Sequence, residues 1–498
     1  MNRTITAPFP TADICEKARL SRDARFDGVF FTAVLSTRIY CRPVCPARPP
    51  KVENVQYYPS AAAAEALGFR PCLRCRPELA PGNRVWLHGE HRVARALKLI
   101  HEGFLAEHSL DELAARLDVG GRQLRRLFVQ HLGASPIAVH ATQRLLFAKQ
   151  LLTETALPIT EVALASGFQS LRRFNSAFAE ANHVAPRELR RKPKMPAGNA
   201  LVLRLGYRPP YDFTALLAFL AGRALPGIEV VEADSYRRVF GSIESPSWLH
   251  VSPWPGEAHA LKLELFNVPP AQMLPVVTRI RRMFDLDADP QAIVATLGAS
   301  PVLAPLVERY PGQRLPGGWD GFEVAVRAVL GQQVSVAAAR TLAARLLSRL
   351  GSVIEAPPAP GLDRLFPTPE QLLEADLGAI GVIRARTATI QGIARALLDG
   401  RVNFRTEQRL EDFVRNWVSL PGIGEWTAHY IAMRVLNHPD AFPAADLILR
   451  REVVTQGPPL STRALEALAE DWRPWRAYSV MYLWRQAVAS ELIRRSRK

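Results

Sequence analysis

Residues 420–450 read LPGIGEWTAHYIAMRVLNHPDAFPAADLILR. Leu420-Pro421-Gly422-Ile423-Gly424 is a tight turn able to join two helices. Its glycines let the backbone approach a ligand closely, and the helix that follows begins with unpaired N–H groups suited to a phosphate. Gly422 and Gly424 are therefore candidate DNA-backbone contacts. Twenty-two residues beyond Gly424, after a short Pro/Ala turn, stands Asp446. Two readings of that carboxylate are open, a catalytic group or an ordinary helix N-cap behind a hairpin that packs two helices.

The sequence on both sides separates the two readings. RLGYRPPYDFTALLAFLAGRALPGIE (204–229), GFEVAVRAVLGQQVSVAAAR (321–340) and DWRPWRAYSVMYLW (471–484) accompany the hairpin. With them, 420–450 resembles the helix-hairpin-helix base-excision glycosylases, and more closely the AlkA-type alkyladenine glycosylases, across 200–498. The resemblance implies that Asp446 is the catalytic carboxylate and that Trp426, Tyr430 and Trp484 line the base pocket. It puts Gln333 where the family inserts a residue into the duplex, a place where an apolar side chain unstacks bases best. Position 426 holds Trp where glycosylases with lyase activity carry a Lys. Without an amine there is no Schiff base, so a monofunctional hydrolase is expected. Electron-rich rings favour a cationic alkylated base by roughly 0.5–2 kcal/mol each. Trp472 and Trp475 read as core instead.

The front of the chain differs in charge. The whole sequence carries +16, of which residues 1–195 contribute +12 (29 basic, 17 acidic) and the remaining 303 residues +4. A basic front third is the footprint of a polyanion binder, most often nucleic acid; the other reading is a solvated, solubility-giving surface. Four of the five cysteines form a C-x3-C and a C-x2-C pair, Cys41 with Cys45 and Cys72 with Cys75, 26 residues apart. In a chain of this size without a secretion signal that pattern reads as metal ligation, one four-thiolate zinc ion. Cys15 stands apart as a small buried apolar residue. The stretch FFTAVLSTRIYCRPVCPARPPKVENVQYYPSAAAAEALGFRPCLRCRP (30–77) resembles the zinc domain of the Ada-type alkylation-response proteins. That family moves a methyl group from a DNA methylphosphotriester to one zinc-bound cysteine, and the matching position here is Cys41. Arg48, Arg70 and Arg74 adjoin the ligands and suit flanking phosphates, with Thr37 near the acceptor. The PCHR motif of the larger Ada-type proteins is missing from the sequence, so no direct repair of O6-methylguanine is expected.

Between these regions lies an imperfect repeat. SLDELAARLDVGGRQLRRLFVQHLGASP (109–136) and PITEVALASGFQSLRRFNSAFAEANHVAP (158–186) each show a short amphipathic helix, a Gly turn, an Arg-rich helix and a closing Pro. Ser109 and Glu112 have capping-box spacing, which starts a helix before Leu110. Such a layout is a helix-turn-helix. The pair resembles the AraC-type DNA-binding domain over nearly all of 90–192, which places recognition helices near 121–131 and 170–180. Arg122, Gln123, Arg125, Ser170, Arg172 and Asn175 are then candidates for base or phosphate contact.

Pro/Gly clusters at 77–84, 192–199 and 309–318 divide the chain into units at 1–80 (zinc methyl-acceptor), 84–192 (tandem helix-turn-helix), 199–310 (β-rich subdomain) and 313–498 (glycosylase). The expected fold class is multidomain and mainly α, with a small α+β zinc domain, an α+β subdomain and a helix-hairpin-helix glycosylase core at the carboxy end. No apolar run of 18 residues and no signal pattern appears, which excludes a membrane protein and points to the cytoplasm and nucleoid. The expected partners are double-stranded and alkylated DNA and, for a regulator, RNA polymerase. Two functions compete. One is a repair glycosylase with a zinc methyl acceptor and a regulatory half; the other is a methylation-sensing regulator whose glycosylase half is inactive.

Overall fold

The computed structural model describes residues 9–82, 91–190, 200–454 and 456–496, so the 192–199 cluster and the end of the 77–84 cluster lie outside the described residues. The chain packs into two units. The first comprises 1–209, 252–281 and 286–289, and the second 210–251, 282–285 and 290–498. Among the described residues no helix is long and apolar enough to cross a membrane.

In the first unit a four-stranded sheet runs in the order Val55–Tyr58, Phe31–Val34, Ile39–Cys41, Arg70–Pro71. Its outer strand pairs parallel to Ile39–Cys41, with Tyr40 opposite Pro71. That register sets Cys41 and Cys72, the next residues on each strand, side by side. Phe31, Ala33, Tyr40, Ala61, Ala64 and Phe69 pack beneath the sheet. The alanines come from the helix Ala61–Ala66, started by the Ser60 hydroxyl accepting from the Ala63 N–H; small side chains let it lie close.

The repeat folds as its spacing predicts. Ser109 and Glu112 form the capping box of the helix Leu110–Ala115, and Gly120 leads into Gly121–Leu132. The second copy is Ile159–Ala165 followed by Leu171–Asn182, joined through Gly167 at φ +76°. The helix Pro136–Glu154 runs between the copies, opened by the Ser135 hydroxyl with Pro136 in its first turn. Leu113, Leu117, Leu124, Leu127 and Phe128, the apolar positions at helical spacing, form one core with the helix His91–His101. The unit also holds the antiparallel pair Leu201–Gly206 and Ala260–Phe266.

The second unit carries an antiparallel ladder of Glu229–Val231, Tyr236–Gly241 and Pro246–Pro253, with Tyr236 opposite Val251. A short antiparallel pair, Ser352–Val353 with Arg364–Leu365, adds to it, and most of the remainder is helical. Gly321–Leu330 and Glu425–Val435 run through its core, and every described residue of 428 and 431–433 is essentially inaccessible. The mainly α fold with two small α+β parts agrees with the expectation from sequence.

Candidate active site and zinc centre

The hairpin joins Leu410–Val418 to Glu425–Val435. Leu420 and Ile423 are buried and anchor it, while Pro421, Gly422 and Gly424 face solvent. Gly422 sits at φ +84°, and a Cβ there would lie 2.0 Å from the Thr389 hydroxyl, so only glycine fits. Gly424 is the N-cap of the second helix and brings no side chain to its first turn, leaving the N–H groups there open. The loop after Gly321–Leu330 is tied to this hairpin. Gln332 donates from Nε2 to the Gly422 carbonyl (3.0 Å) and to the Thr427 hydroxyl (3.1 Å). Its neighbour Gln333 is exposed and held at φ +55°.

Asp446 takes the N-cap position and also borders a cavity. It is the N-cap of Leu447–Glu452, with Oδ1 accepting from the N–H groups of Ile448 (2.9 Å) and Leu449 (3.1 Å). Its Oδ2 accepts from Trp426 Nε1 at 2.9 Å. It also lines a cavity of about 740 Å³, together with Trp426, Tyr430 and Trp484. Trp426 and Tyr430 stack with centroids 5.3 Å apart and planes 7° from parallel, and Trp484 lies 6.2 Å from Tyr430. Four residues spread over 59 positions of sequence thus meet in one place. Trp472 and Trp475 are buried in the core.

The cavity contains groups that the sequence did not single out: Arg223, Met283, Trp319, Glu323, Arg327 and Arg434. Trp319 packs against Phe240 with centroids 4.7 Å apart and planes tilted by 46°. Arg434 donates to the carbonyls of Pro316 and Gly317 and, from Nη1, to the Tyr430 hydroxyl at 3.0 Å. Burial pushes the Tyr430 phenol up, but Arg434, Arg223 and Arg327 outweigh it and hold the group at about 8. Glu323 and Arg327 are an i,i+4 pair on Gly321–Leu330, but the others lie on separate elements and no spacing rule connects them. The one hint was compositional: an Arg ending the apolar run FTALLAFLAGR at 213–223.

In the first unit the sulfurs of Cys41, Cys45, Cys72 and Cys75 all lie within 4.8 Å of one another. A tetrahedral zinc–thiolate site with bonds of about 2.3 Å needs sulfurs about 3.8 Å apart, so the donor set fits zinc in number, type and spacing. Hydrogen bonding among the sulfurs splits their titration. Contact with Cys41 lowers Cys45 and Cys72, while Cys41 itself is raised as the sharing donor. Backbone N–H groups reach three of the four sulfurs: Arg42 to Cys75 (3.3 Å), Arg74 to Cys72 (3.4 Å) and Ala47 to Cys45. Cys72 and Cys75 are buried, Cys41 and Cys45 half-exposed. Cys41 is the one of the four whose sulfur has no such backbone donor among the described residues. Cys15 is inaccessible, and burial pushes its thiol up to about 12.

Of the remaining candidates, Thr37, Arg48 and Arg74 are exposed and Arg70 is half-buried. Arg122, Gln123 and Arg125 are exposed on Gly121–Leu132, and Arg172 and Asn175 on Leu171–Asn182. Ser170 caps the latter helix, accepting from the Arg173 N–H at 3.4 Å.

Four families match in succession along the chain: the metal binding domain of Ada at 14–78, a helix-turn-helix domain at 113–192, the AlkA N-terminal domain at 202–320 and the HhH-GPD superfamily base excision DNA repair protein at 326–474. Fold and site together therefore define a helix-hairpin-helix base-excision glycosylase joined to a zinc-binding, DNA-binding half. The "Probable bifunctional transcriptional activator/DNA repair enzyme AlkA" of Mycobacterium tuberculosis (strain H37Rv) is 41% identical over 477 residues, 94% of this chain and 95% of that one. DNA-3-methyladenine glycosylase 2 of Escherichia coli K12 is 32% identical over 56% of this chain and 95% of its own length. The bifunctional transcriptional activator/DNA repair enzyme Ada of the same organism is 39% identical over 24% of this chain and 32% of its own. The chain belongs to the family of bifunctional transcriptional activator/DNA repair enzymes of the AlkA type, and its four-cysteine cluster is a zinc site.

Proposed function

We propose that the second unit releases alkylated purines, 3-methyladenine among them, from DNA, with Asp446 as the catalytic carboxylate. The observation that carries this reading is the convergence of Asp446, Trp426, Tyr430 and Trp484 on one cavity beside the hairpin. The damaged nucleotide must leave the duplex to enter such a cavity. Gly422 and Gly424 hold the backbone, and Gln333 lies on the loop tied to the hairpin, suited to the space left behind. A purine alkylated at N3 or N7 is cationic, stacks well on Trp426 and Tyr430, and leaves with little acid help. As the glycosidic bond breaks, the sugar gains oxocarbenium character. Asp446 stabilises that charge and orients the attacking water. Trp426 at the hairpin supplies no amine, so the product is an abasic site in an uncut strand.

In the first unit the same physical reading assigns Cys41 the methyl-acceptor role. Its sulfur attacks the methyl carbon of a methylphosphotriester, the carbon–oxygen bond breaks, and the phosphate leaves as the ordinary diester anion. Zinc held by the four cysteines supplies thiolate character at neutral pH. The N–H donors on Cys45, Cys72 and Cys75 draw off their electron density, which favours Cys41 as nucleophile. Methylation takes the site from a charge of about −2 to about −1. Repulsion of DNA falls accordingly, and repair becomes a binding switch. Arg48, Arg70 and Arg74 grip the flanking phosphates beside Thr37, while Arg122, Gln123, Arg125, Ser170, Arg172 and Asn175 serve the two reading heads. A regulator of this design works in the cytoplasm at the nucleoid, with RNA polymerase as partner.

The deciding test is release of free 3-methyladenine from methylated duplex DNA by wild type and by Asp446→Asn. Asn is an equally good N-cap, so the variant folds. We expect its single-turnover rate to fall at least about a thousandfold. Equal release by both proteins would assign catalysis elsewhere, and no release by a folded wild type would leave a regulator with an inactive second unit.

A further inference from the structure

Arg42 directly follows Cys41 and reaches another of the four cysteines twice. Its backbone N–H donates to the Cys75 sulfur at 3.3 Å, and its Nη1 donates to the Cys75 carbonyl at 3.0 Å. The other edge of the guanidinium is held by the Asp27 carboxylate, with Nε donating to Oδ1 at 2.8 Å and Nη2 to Oδ2. The Arg42 and Asp27 side chains are only 13% and 5% exposed. Asp27 closes the short helix Ala24–Phe26, and its backbone is pinned by the buried Arg208, whose Nε donates to the Asp27 carbonyl at 2.7 Å. The carboxylate is therefore fixed from both ends. Lys149, which donates to the Cys72 carbonyl from the other side, is likewise paired, with Glu78.

These contacts set a cation against a site whose charge is its signal. Four thiolates around one zinc ion carry about −2, and methylation of Cys41 takes the site to about −1. A guanidinium stays charged at any working pH, and a buried charge is screened little by salt. Left without a partner, Arg42 would offset about one unit of the site's charge, the same change that repair makes. Asp27 offsets the cation instead. The full negative charge then faces the DNA, and the Cys41 sulfur keeps its electron density.

Resting on the reading of Cys41 as methyl acceptor, we propose that Asp27 is a positioning residue that acts through Arg42 to hold the unmethylated zinc site in its DNA-repelling, nucleophilic state. Removing its carboxylate does to the charge of the site what methylation does, with no methyl group transferred. Removing the Arg42 guanidinium as well restores the balance.

The test uses the full zinc-loaded chain, with zinc content read by atomic absorption. Affinity for an undamaged duplex at fixed salt reads the repulsion. The rate of Cys41 methylation by methyl iodide, a neutral donor indifferent to DNA, reads the nucleophile. For unmethylated Asp27→Asn, and equally for Asp27→Ser, we expect DNA binding about tenfold tighter and methylation about tenfold slower than in wild type. Asp27→Asn combined with Arg42→Gln should return both readouts to within about twofold of wild type. Tighter DNA binding is something a loss of folding cannot produce. No gain in affinity in either single variant, no recovery in the double variant, or loss of zinc from both single variants would overturn the inference. A wild type that binds DNA more tightly once methylated, beside single variants that do not, would overturn it alone. A wild type that methyl iodide leaves unmodified at Cys41 would overturn the methyl-acceptor reading as well.

Discussion

Each unit buries a network of ionised side chains behind its site, and the two differ in one respect. In the first unit Lys149 and Arg76 face Glu78 and Glu154. Lys149 pairs with Glu78, and Arg76 pairs with both carboxylates, at 3.1 Å and 2.8 Å. Arg76 and Glu78 follow the last zinc ligand, and Lys149 and Glu154 belong to the helix between the two helix-turn-helix copies. Lys149 also donates to the Cys72 carbonyl. Two positive charges meet two negative ones, and the network joins parts of the protein to each other. In the second unit Arg238 and Arg327 face Glu229 and Glu323, while Arg434 is held by the carbonyls of Pro316 and Gly317 and by the Tyr430 hydroxyl. Both networks balance; the first ties parts of its unit to each other, whereas Glu229, Glu323 and Arg327 of the second border a cavity.

The strongest way to separate the two units is to remove the metal. Structural four-cysteine sites contribute on the order of 10 kcal/mol to folding. Cys45→Ser is therefore expected to lose its zinc and the near-ultraviolet circular dichroism of the first unit, with 3-methyladenine release within about twofold of wild type. Atomic absorption and the glycosylase assay read both, and a joint loss would mean the units do not fold apart.

Substitution within the networks tests the balance directly. Lys149→Met takes from Glu78 the nearer of its two cations and leaves it Arg76 alone, where the Lys149 and Glu78 side chains are 1% exposed, and is expected to cost about 3 kcal/mol in a urea titration. Arg223→Met strands no carboxylate, so it should cost about 1 kcal/mol or less. Equal costs would erase the distinction drawn above.

Acid should weaken both units alike. Burial, helped by Arg144, holds His140 at about 4, and burial with Arg476 does the same to His429. The unfolded chain then takes up protons first. Stability is full above about 6.5 and is lost as pH falls toward 4, by on the order of 2 kcal/mol for each histidine. His140→Gln should flatten this slope for the first unit only, as followed by its circular dichroism. The smallest signal belongs to Tyr430. Its folded value lies below the ordinary 10, so its contribution is complete above about 10 and disappears as pH falls through about 8. A tyrosinate absorbance step near pH 8, absent from Tyr430→Phe, would report it. A step near 10 instead would mean that the arginine floor is weaker than its geometry indicates.

How much of this was legible beforehand follows from the physics of each signal. Cysteine pairs, the Gly422 turn and the Ser109–Glu112 box are local, and each constrains backbone within a few residues. Trp426 and Tyr430, one helical turn apart, could be paired by eye, and the resemblance supplied Asp446 and Trp484. The charged floor was not legible, because Glu229, Arg238, Glu323, Arg327 and Arg434 come from four separate elements, Arg223 comes from a turn, and an arginine carries no periodic mark. Nor could spacing separate Cys41 from its three partners; the backbone donors that do so are set by strand register and loop geometry.

Asp446 gives Oδ1 to the first turn of Leu447–Glu452 and Oδ2 to Trp426. A helix of six residues is marginal by itself, and its end frays readily. Every such opening frees the carboxylate to swing away from the cavity, so under the catalytic role proposed for Asp446 fraying and disarming are one event. The amide protons of Ile448 and Leu449 thereby become a gauge of working enzyme. Their exchange with deuterium counts the fraction of molecules out of service, and warming should idle the catalyst before the unit around it melts.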